Sequence, residues 1–421
     1  MKPVIGFAGM THLGLVSGVC AAEKGFRAIC FDSDEARVAS LKRRELPVSE
    51  PELDQLVKRN AERLVFTSSA GDLAACDVVY VAPDVPTDDT GASDLAPVNA
   101  VLNQVFAATR REAVVVMLSQ VPPGYTRGAM RPSRTLYYQV ETLIFGRAVE
   151  RALRPERYIV GCENPGKPLP EAYAAVLGAH GCPILPMRYE SAELAKISIN
   201  CCLVASVSVA NTLAELCEKI GADWGEIVPA LRLDRRIGEH AYLAPGLGIA
   251  GGNLERDLAT VCALADRHGT DAGVVRAWVA NSRHRRDWAL RTLHREVLAT
   301  VQNPVIAVLG LAYKQDTRSV KNSPAIALLE VLKPFGVRVF DPVVPASVVN
   351  HPRCYAARSE LEACEGADAL ALMTPWAQFG KLDPVAIAKH LRAKTVLDPY
   401  AVLKAEACRR AGLSYYTLGA R

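Results

Sequence analysis

A glycine-rich segment that runs into charged side chains is the part of this 421-residue chain best suited to chemistry. Residues 245–257 read PGLGIAGGNLERD. Gly246, Gly248 and Gly251 let the backbone approach a ligand closely and adopt torsions that other residues avoid. Asp257 ends the segment, so an acid follows directly on this backbone. We predict a ligand-binding loop with a reactive group at its end.

A long helix, predicted over residues 190–221, carries polar residues on one face. Glu193, Lys196 and Asn200 recur at helical spacing among apolar neighbours. A lysine in a desolvated site can stabilise an alkoxide or assist its proton transfer, and an amide can orient a water molecule. A lysine that snorkels to solvent beside an exposed asparagine explains the spacing equally well.

The N-terminal strand, turn and helix predict a dinucleotide site with one departure from the usual fingerprint. The turn reads GMTHLG where GxGxxG is expected, so Thr11 replaces the glycine that lets phosphate come closest. Backbone N–H groups and the helix dipole there favour a pyrophosphate. Asp32 ends the second predicted strand, about 20 residues on, where a carboxylate receives ribose hydroxyls and favours NAD over NADP. The residues expected at this site are Gly9, Met10, Thr11, His12, Leu13, Gly14, Asp32 and Arg37.

Two readings stay open for this region. Arg37, one helical turn beyond Asp32, could contact the adenosine or serve only the surface. The lobe itself could also be Rossmann-like and hold no dinucleotide, because a fingerprint with one glycine replaced is a weak signal by itself.

The predicted fold is α/β, with two Rossmann-like doubly wound parallel-sheet domains joined by a central helical domain. Short apolar runs rich in β-formers alternate with amphipathic helices at both ends of the chain, which indicates parallel sheets. Between them the pattern is helical throughout. We place the domains at residues 1–188, 189–300 and 301–421.

Composition narrows the function classes. Half of the residues are hydrophobic, 22% are charged, and the net charge of +4 is spread along the chain, so no nucleic-acid partner is expected. No unbroken apolar run reaches the ~18 residues of a membrane span. Twelve cysteines without CxxC spacing indicate core residues in a reducing cytoplasm. His12 and His240 lack companion ligands, so no metal site is expected.

The motifs resemble, in order, those of the UDP-glucose/GDP-mannose dehydrogenase family along nearly the whole chain. The 245–257 loop is similar to the family's PGxGFGGSCFPKD, and residues 192–223 are similar to its catalytic helix, AELxKYxxNxFLAxKIxxxNExxxLCEKxGAD. SQVPPG at 119–124 and GLAYKQDT at 310–317 also have counterparts. The resemblance implies an NAD-dependent enzyme acting on a nucleotide sugar, with a UDP-sugar favoured. It also implies a cytoplasmic homodimer formed through the central helix and, for the three predicted domains, roles in NAD binding, dimerisation and nucleotide-sugar binding.

The resemblance further assigns individual residues. It implies catalytic roles for Lys196, Asn200, Asp257 and, through the looser match of YQVETLIFG to NPEFLxEG, Glu141. Further cofactor contacts would come from Val85, Pro86, Ser119, Gln120 and Lys321. Substrate contacts would come from Arg236, which would reach the partner subunit's substrate, and from Tyr242, Gly246, Gly248, Gly251, Tyr313 and Lys314.

The chain departs from the family at the second half of the reaction. Asn253 stands where the family has its nucleophilic cysteine, and an amide cannot form a thiohemiacetal. The other departures are Arg256 for a lysine, Phe145 for a second glutamate, Lys321 for an arginine, Tyr400 for a sugar-binding arginine and Gln120 for a threonine. The sequence therefore predicts a two-electron oxidation of a CH–OH group, or full oxidation by slow hydration of the aldehyde.

Two other functions remain open. A redox-neutral epimerase would remove a hydride and return it to the opposite face of the sugar. A non-catalytic homologue that binds a nucleotide sugar is kept open by Thr11 and Asn253.

Overall fold

The computed structural model describes residues 2–88, 91–141 and 143–420, which form two compact units, Met1–Ile199 and Asn200–Arg421. The boundary between the units falls inside one long helix, α8 (Tyr189–Ile220). The predicted division into three domains stays a prediction.

The first unit is built on an eight-stranded sheet with the strand order β3-β2-β1-β4-β5-β6-β7-β8. All neighbouring strands are parallel except β6 and β7. The strands are β1 (Val4–Ala8), β2 (Arg27–Phe31), β3 (Leu64–Thr67), β4 (Val78–Val81), β5 (Val114–Met117), β6 (Thr135–Gln139), β7 (Tyr158–Cys162) and β8 (Ile184–Arg188). The helices are α1 (His12–Glu23), α2 (Glu35–Lys42), α3 (Leu53–Arg59), α4 (Ala96–Ala108), α5 (Tyr125–Gly128), α6 (Ala148–Leu153) and α7 (Glu171–Gly178), with a 3₁₀ turn at Ala70–Ala75.

Two apolar layers cover the two faces of this sheet. One layer joins residues of β1, β4 and β5 to α1, including Phe7, Tyr80 and Val16. The other joins alternate residues of the same strands to α4, including Val79 and Leu102. Strands buried on both faces read as continuous apolar runs, which is why the sequence identifies the central strands.

Helix α8 ends where the sequence predicted. Gly221 follows it with a φ of +81°, a left-handed conformation that glycine adopts without strain. Among the described residues, α8 alone is long and apolar enough to cross a membrane, which corrects the expectation that no stretch reaches that measure. In the apolar 18-residue stretch of this helix, 33% of the residues are buried. Core helices of other proteins reach the same length and apolar composition, so α8 is weak evidence for a membrane span.

The second unit combines helices with a six-stranded parallel sheet. Its helices are α9 (Trp224–Leu233), α10 (Asn253–His268), α11 (Gly273–Arg286), α12 (Trp288–Leu293), α13 (Pro324–Val331), α14 (Glu360–Cys364), α15 (Pro384–His390) and α16 (Ala405–Arg410). The strand order is β11-β10-β9-β12-β13-β14. The strands are β9 (Val305–Leu309), β10 (Gly336–Phe340), β11 (Cys354–Ala356), β12 (Ala369–Leu372), β13 (Thr395–Leu397) and β14 (Ser414–Tyr416). The α/β class and the two Rossmann-like lobes are confirmed.

Candidate active site and cofactor site

The turn between β1 and α1 is packed so tightly that glycine is required at both ends. Gly9 has a φ of +98°, and its N–H donates to the Phe31 carbonyl over 2.8 Å. A Cβ added to Gly14 would lie 1.9 Å from the Gly9 carbonyl oxygen. Helix α1 therefore starts directly against the end of β1, as a dinucleotide fold needs. Met10 and Leu13 are buried, so they shape this turn from the core side.

Asp32 faces the glycine turn from the end of β2. One carboxylate oxygen, Oδ2, accepts from the Met10 N–H at 2.7 Å and from Arg37 Nη1 at 2.7 Å. The other accepts from the Asp34 N–H at 2.9 Å. The acid is 5% exposed, so these bonds fix it in place. The Arg37 guanidinium is paired with Asp32, so this arginine holds the acid in place. Contact of Arg37 with the adenosine stays a prediction.

Asp84 lies at the start of α1, although sequence reasoning did not single it out. Its N–H donates to Thr11 Oγ1 at 2.9 Å, and its Oδ2 accepts from the His12 N–H at 3.2 Å. The His12 ring is held separately, 2.8 Å from a Glu50 carboxylate oxygen and 4.2 Å from the Phe145 ring. The only sequence signal for Asp84 is its position just after a parallel strand, at the edge where ligands bind.

The remaining predicted cofactor residues of this unit lie in the segments after β4 and β5. Ser119 is buried, and its hydroxyl donates to the Pro83 carbonyl at 2.5 Å, which ties the two segments together. Val85 packs against the core, Pro86 is exposed, and Gln120 is partly buried.

Glu193 positions the same segment, a role that sequence reasoning missed. It is fully buried on α8, and its carboxylate accepts from the Gly124 N–H at 2.6 Å and the Thr126 N–H at 2.8 Å. Burial raises the pKa of this acid. Lys196, one turn further along the helix, is partly buried.

Glu141 lines a small cavity of about 50 Å³ within the first unit. Ser17, Cys20 and Tyr80 contribute to the same lining. Burial, and then the charge of Glu141, raises the pKa of the Cys20 thiol to about 12. This thiol is therefore protonated at neutral pH and is a poor nucleophile.

In the second unit, the structure brings Asn200 and Asp257 together. Asn200 Nδ2 donates to Asp257 Oδ2 over 2.5 Å, and both side chains are buried. Arg256 is buried beside them, with its Nε 3.4 Å from Asp257 Oδ1. The sequence predicted both members of the pair. Asn200 follows Lys196 by four positions on α8, and Asp257 follows Asn253 by four positions on α10. Asn253 is the first residue of α10 and is exposed.

Cys201 is a thiol close to this pair. Burial raises its pKa to about 11, and the charge of Asp257 adds to the effect. A thiol in such surroundings stays protonated at neutral pH and is a poor nucleophile.

The glycine loop is held from several sides. The Gly246 N–H donates to Asn211 Oδ1 at 2.8 Å, and Asn211 is buried on α8, a role that the amide's place in an apolar helix face could have indicated. A Cβ on Gly248 would lie 2.3 Å from the Ser282 carbonyl oxygen, so this glycine permits packing against α11. A Cβ on Gly246 would lie 3.8 Å from the Tyr400 ring.

The loop after β9 contacts the same glycine segment. The Gly251 N–H donates to the Lys321 carbonyl at 3.1 Å, and a Cβ on Gly251 would lie 3.0 Å from the Tyr313 ring. Lys314 Nζ lies 5.8 Å from the centre of that ring. Tyr313 and Lys321 of the predicted set therefore lie against the glycine loop, and Lys314 lies beside Tyr313.

Arg236 and Tyr242 are not drawn into this cluster. The Arg236 guanidinium is 89% exposed and bonds to Asp234 at 2.6 Å, and Tyr242 is 49% exposed. Within the described residues, no group of three or more His, Cys, Asp or Glu side chains could hold a metal ion.

Comparison with known proteins identifies the family. Models of the UDP-glucose/GDP-mannose dehydrogenase family match in order: the NAD binding domain at 3–175, the central domain at 190–283 and the UDP binding domain at 307–405. UDP-glucose 6-dehydrogenase from Pseudomonas aeruginosa is 33% identical, covering 93% of this chain and 91% of that protein. The same-named protein of Rhizobium meliloti is 31% identical over 98% of each chain.

A solved structure agrees along the full length. A UDP-glucose dehydrogenase from Pyrobaculum islandicum has a TM-score of 0.88 and 25% identity, covering 100% of this chain and 98% of that one. The chain therefore belongs to the UDP-glucose/GDP-mannose dehydrogenase family, whose members are NAD-dependent oxidoreductases acting on the CH–OH group of a nucleotide sugar.

Proposed function

We propose that this protein oxidises the primary alcohol of a UDP-sugar with NAD and stops after one two-electron step. The observation that carries the proposal is the buried pair of Asn200 on α8 and Asp257 on α10, joined by a hydrogen bond of 2.5 Å. Helix α10 begins with Asn253, at the position where the resemblance leads us to expect a cysteine. Asn200 and Asp257, which we expect to serve the first oxidation, are present. Asn253 stands where the resemblance leads us to expect the cysteine of the second oxidation.

The first step needs a base and a partner for the developing alkoxide. Asp257 takes the alcohol proton, because its carboxylate is buried and held in one orientation by Asn200. Lys196, one helical turn before Asn200 on α8, stabilises the alkoxide by its positive charge. Asn200 orients the acid and can also position a water molecule.

The first unit supplies the cofactor site. Gly9 and Gly14 allow the tight approach of α1 to β1, and Asp32 stands where ribose hydroxyls are expected, so these residues fit NAD. NAD held by these residues would supply the hydride acceptor for the first oxidation. Ser119 and Gln120, on the segment that Glu193 anchors, would lie beside the nicotinamide.

The second oxidation requires a tetrahedral adduct of the aldehyde. A cysteine thiolate forms that adduct covalently, and its position at a helix N-terminus lowers its pKa. Asn253 has neither property. The thiol near Asp257, Cys201, has a pKa raised to about 11. The aldehyde therefore leaves, or reacts further only as its slowly formed hydrate.

The homodimer is part of this proposal. Val209, Leu213, Leu216 and Ile220 are 53%, 41%, 50% and 65% exposed on α8, at spacings of four, three and four residues. Such spacing forms one apolar seam along a helix, which favours a second copy of the same helix as partner. The exposed Arg236 supports its expected role at the partner subunit's substrate. We also place the enzyme in the cytoplasm.

The test is to count NADH released per sugar consumed. The purified protein is incubated with NAD and a panel of UDP-, GDP-, CDP- and dTDP-sugars, with NADH followed by absorbance and products by mass spectrometry. We expect one NADH per sugar and an aldehyde or its hydrate. Two NADH at an undiminished rate would contradict the proposal, and a rearranged sugar without NADH would favour the epimerase.

A matched pair of variants sharpens this test. Asn253→Cys restores the nucleophile, and Asn253→Ser adds a side chain of similar size without the thiol. We expect carboxylate product to increase at least tenfold with Asn253→Cys and to stay unchanged with Asn253→Ser, because only the thiolate makes the adduct.

A further inference from the structure

We propose that Asp84 is an internal competitor of the cofactor's pyrophosphate at the start of α1. Two hydrogen bonds join the start of α1 to the segment that carries Asp84. Thr11 Oγ1 accepts from the Asp84 N–H at 2.9 Å, and Asp84 Oδ2 accepts from the His12 N–H at 3.2 Å. We call this arrangement the Thr11–Asp84 clasp. It places a carboxylate on the first N–H group of the helix.

The backbone holds the clasp in position. The Ala82 N–H donates to the Ala8 carbonyl at 2.8 Å, and Ser119 Oγ donates to the Pro83 carbonyl at 2.5 Å. Pro83 passes so close to the turn that a Cβ on Gly9 would lie 2.7 Å from its nitrogen. The segment carrying Asp84 therefore has little freedom to withdraw from α1.

A dinucleotide in this fold delivers its pyrophosphate to the same helix end. The N–H groups of the first turn and the positive end of the helix dipole bind the anion. Asp84 uses one of these groups already and adds a negative charge of its own. Bound pyrophosphate must either displace the carboxylate or sit beside a like charge, and both reduce affinity.

Thr11 is the second residue of the Thr11–Asp84 clasp. A glycine at this position has no hydroxyl to accept from the Asp84 N–H and leaves room for phosphate. The threonine fills that room and orients the segment that carries the acid. Two residues, close in space and 73 positions apart, thus act together on one ligand site. This inference concerns cofactor binding and does not depend on the number of electrons transferred.

The test measures cofactor affinity in the full-length protein without sugar or turnover. Binding of ADP-ribose is measured by calorimetry and binding of NADH by fluorescence, for the wild type and for Asp84→Asn. The amide can still accept from the His12 N–H, so the turn is preserved while the charge is removed. Asp54→Asn, which removes an exposed charge on α3, is the matched control.

We expect Asp84→Asn to tighten the binding of both ligands about tenfold and Asp54→Asn to change it less than twofold. The gain should shrink as salt is raised towards about 1 M, because screening weakens repulsion between charges. Thr11→Gly, as an independent variant, should tighten binding a few-fold. Unchanged or weaker ADP-ribose binding in Asp84→Asn, with the fold intact by circular dichroism, would overturn the proposal.

Discussion

The two Rossmann-like lobes anchor their first turns in the same way and then diverge. In the first lobe, Gly9 has a φ of +98° and donates to Phe31, while Asp32 accepts from the next N–H at 2.7 Å. In the second lobe, Gly310 has a φ of +91° and donates to Phe340 over the same 2.8 Å. Its acid, Asp341, accepts from the Leu311 N–H at 2.7 Å.

The difference begins one residue later. The first lobe enters α1 almost at once, so the helix N-terminus itself lies at the glycine turn. The second lobe inserts a loop before α13, and this loop carries Tyr313, Lys314 and Lys321. One lobe thus has backbone N–H groups of a helix start after its anchor, and the other has cationic side chains on a loop. The same glycine and acid at the first turn can therefore be followed by different groups for contacting a nucleotide.

The largest expected effect comes from removing the glycines of the two turns. Gly14→Ala places a Cβ 1.9 Å from the Gly9 carbonyl oxygen, and Gly310→Ala places one 2.5 Å from Thr374 at a positive φ. We expect each change to lower the free energy of unfolding by about 3 kcal/mol. Urea titration measures this, and ligand titration should show that NADH binding fails in the first variant and UDP binding in the second.

Gly178→Ala is the control for this pair. It lies in α7, and a Cβ there meets no atom within 4 Å. Stability should change by less than about 1 kcal/mol, because alanine is the better helix former. If Gly14→Ala were equally mild, the first turn would not need the close packing that the comparison assigns to it.

The acids that follow β2 and β10 give the next effect. Asp341 accepts from four backbone N–H groups and from Trp376 Nε1, whereas Asp32 accepts from two N–H groups and from Arg37. We expect Asp341→Asn to cost about 2 kcal/mol of unfolding free energy, since hydrogen bonds to charged groups are strong. Asp32→Asn should cost less stability but about tenfold in NADH affinity. Equal stability losses would contradict the view that Asp341 mainly holds structure.

The sequence was sufficient for the central strands, whose apolar runs are continuous, and for α8, whose glycine stop is a local signal. Outer strands carry no such local pattern. Strand β8 contains Pro186 and is half exposed, and β14 has only three residues. The antiparallel pairing of β6 with β7 depends on contacts across the sheet, which periodicity does not encode.

For the site, the resemblance provided residues that are expected to touch ligands, but not the residues that hold those in position. Asn200 and Asp257 were predicted, and the structure brings them together. Asp84 and Asn211 were not, because their partners, His12 and Gly246, lie 72 and 35 positions away. Such pairings depend on how strands and helices are arranged in space. A motif records a residue's type and spacing and carries no record of its distant neighbour.

The cationic loop of the second lobe predicts a smaller effect on affinity. Lys314→Met should weaken UDP binding about tenfold, and the binding should become less salt-dependent, because the resemblance leads us to expect this positive charge beside the nucleotide sugar. Calorimetry with UDP measures this. Lys333→Met, at a lysine paired with Glu330, is the control and should have no effect. If NADH binding fell as much as UDP binding, the two lobes would not differ in the way proposed.

The smallest effect concerns a buried acid in each lobe, Glu193 and Asp398. Burial raises the pKa of both carboxyls, so the folded protein holds their protons more firmly than the unfolded chain does. Each group therefore lowers the free energy of unfolding as pH rises from its unfolded pKa, about 4, through its folded pKa. Glu193→Gln and Asp398→Asn, which do not titrate, should be most destabilised relative to the wild type at low pH and recover towards neutrality.

Glu190 on α8 provides the opposite case for comparison. Its bond to Arg127 lowers its pKa, so the stability it contributes is present above its unfolded pKa and is lost as pH falls through the folded value. Urea unfolding from about pH 4 to 7.5 should thus give Glu190→Gln a deficit that grows with pH, while the deficits of Glu193→Gln and Asp398→Asn shrink. A common slope for all three variants would mean that burial does not govern these acids, and that the two lobes cannot be compared by their buried charges.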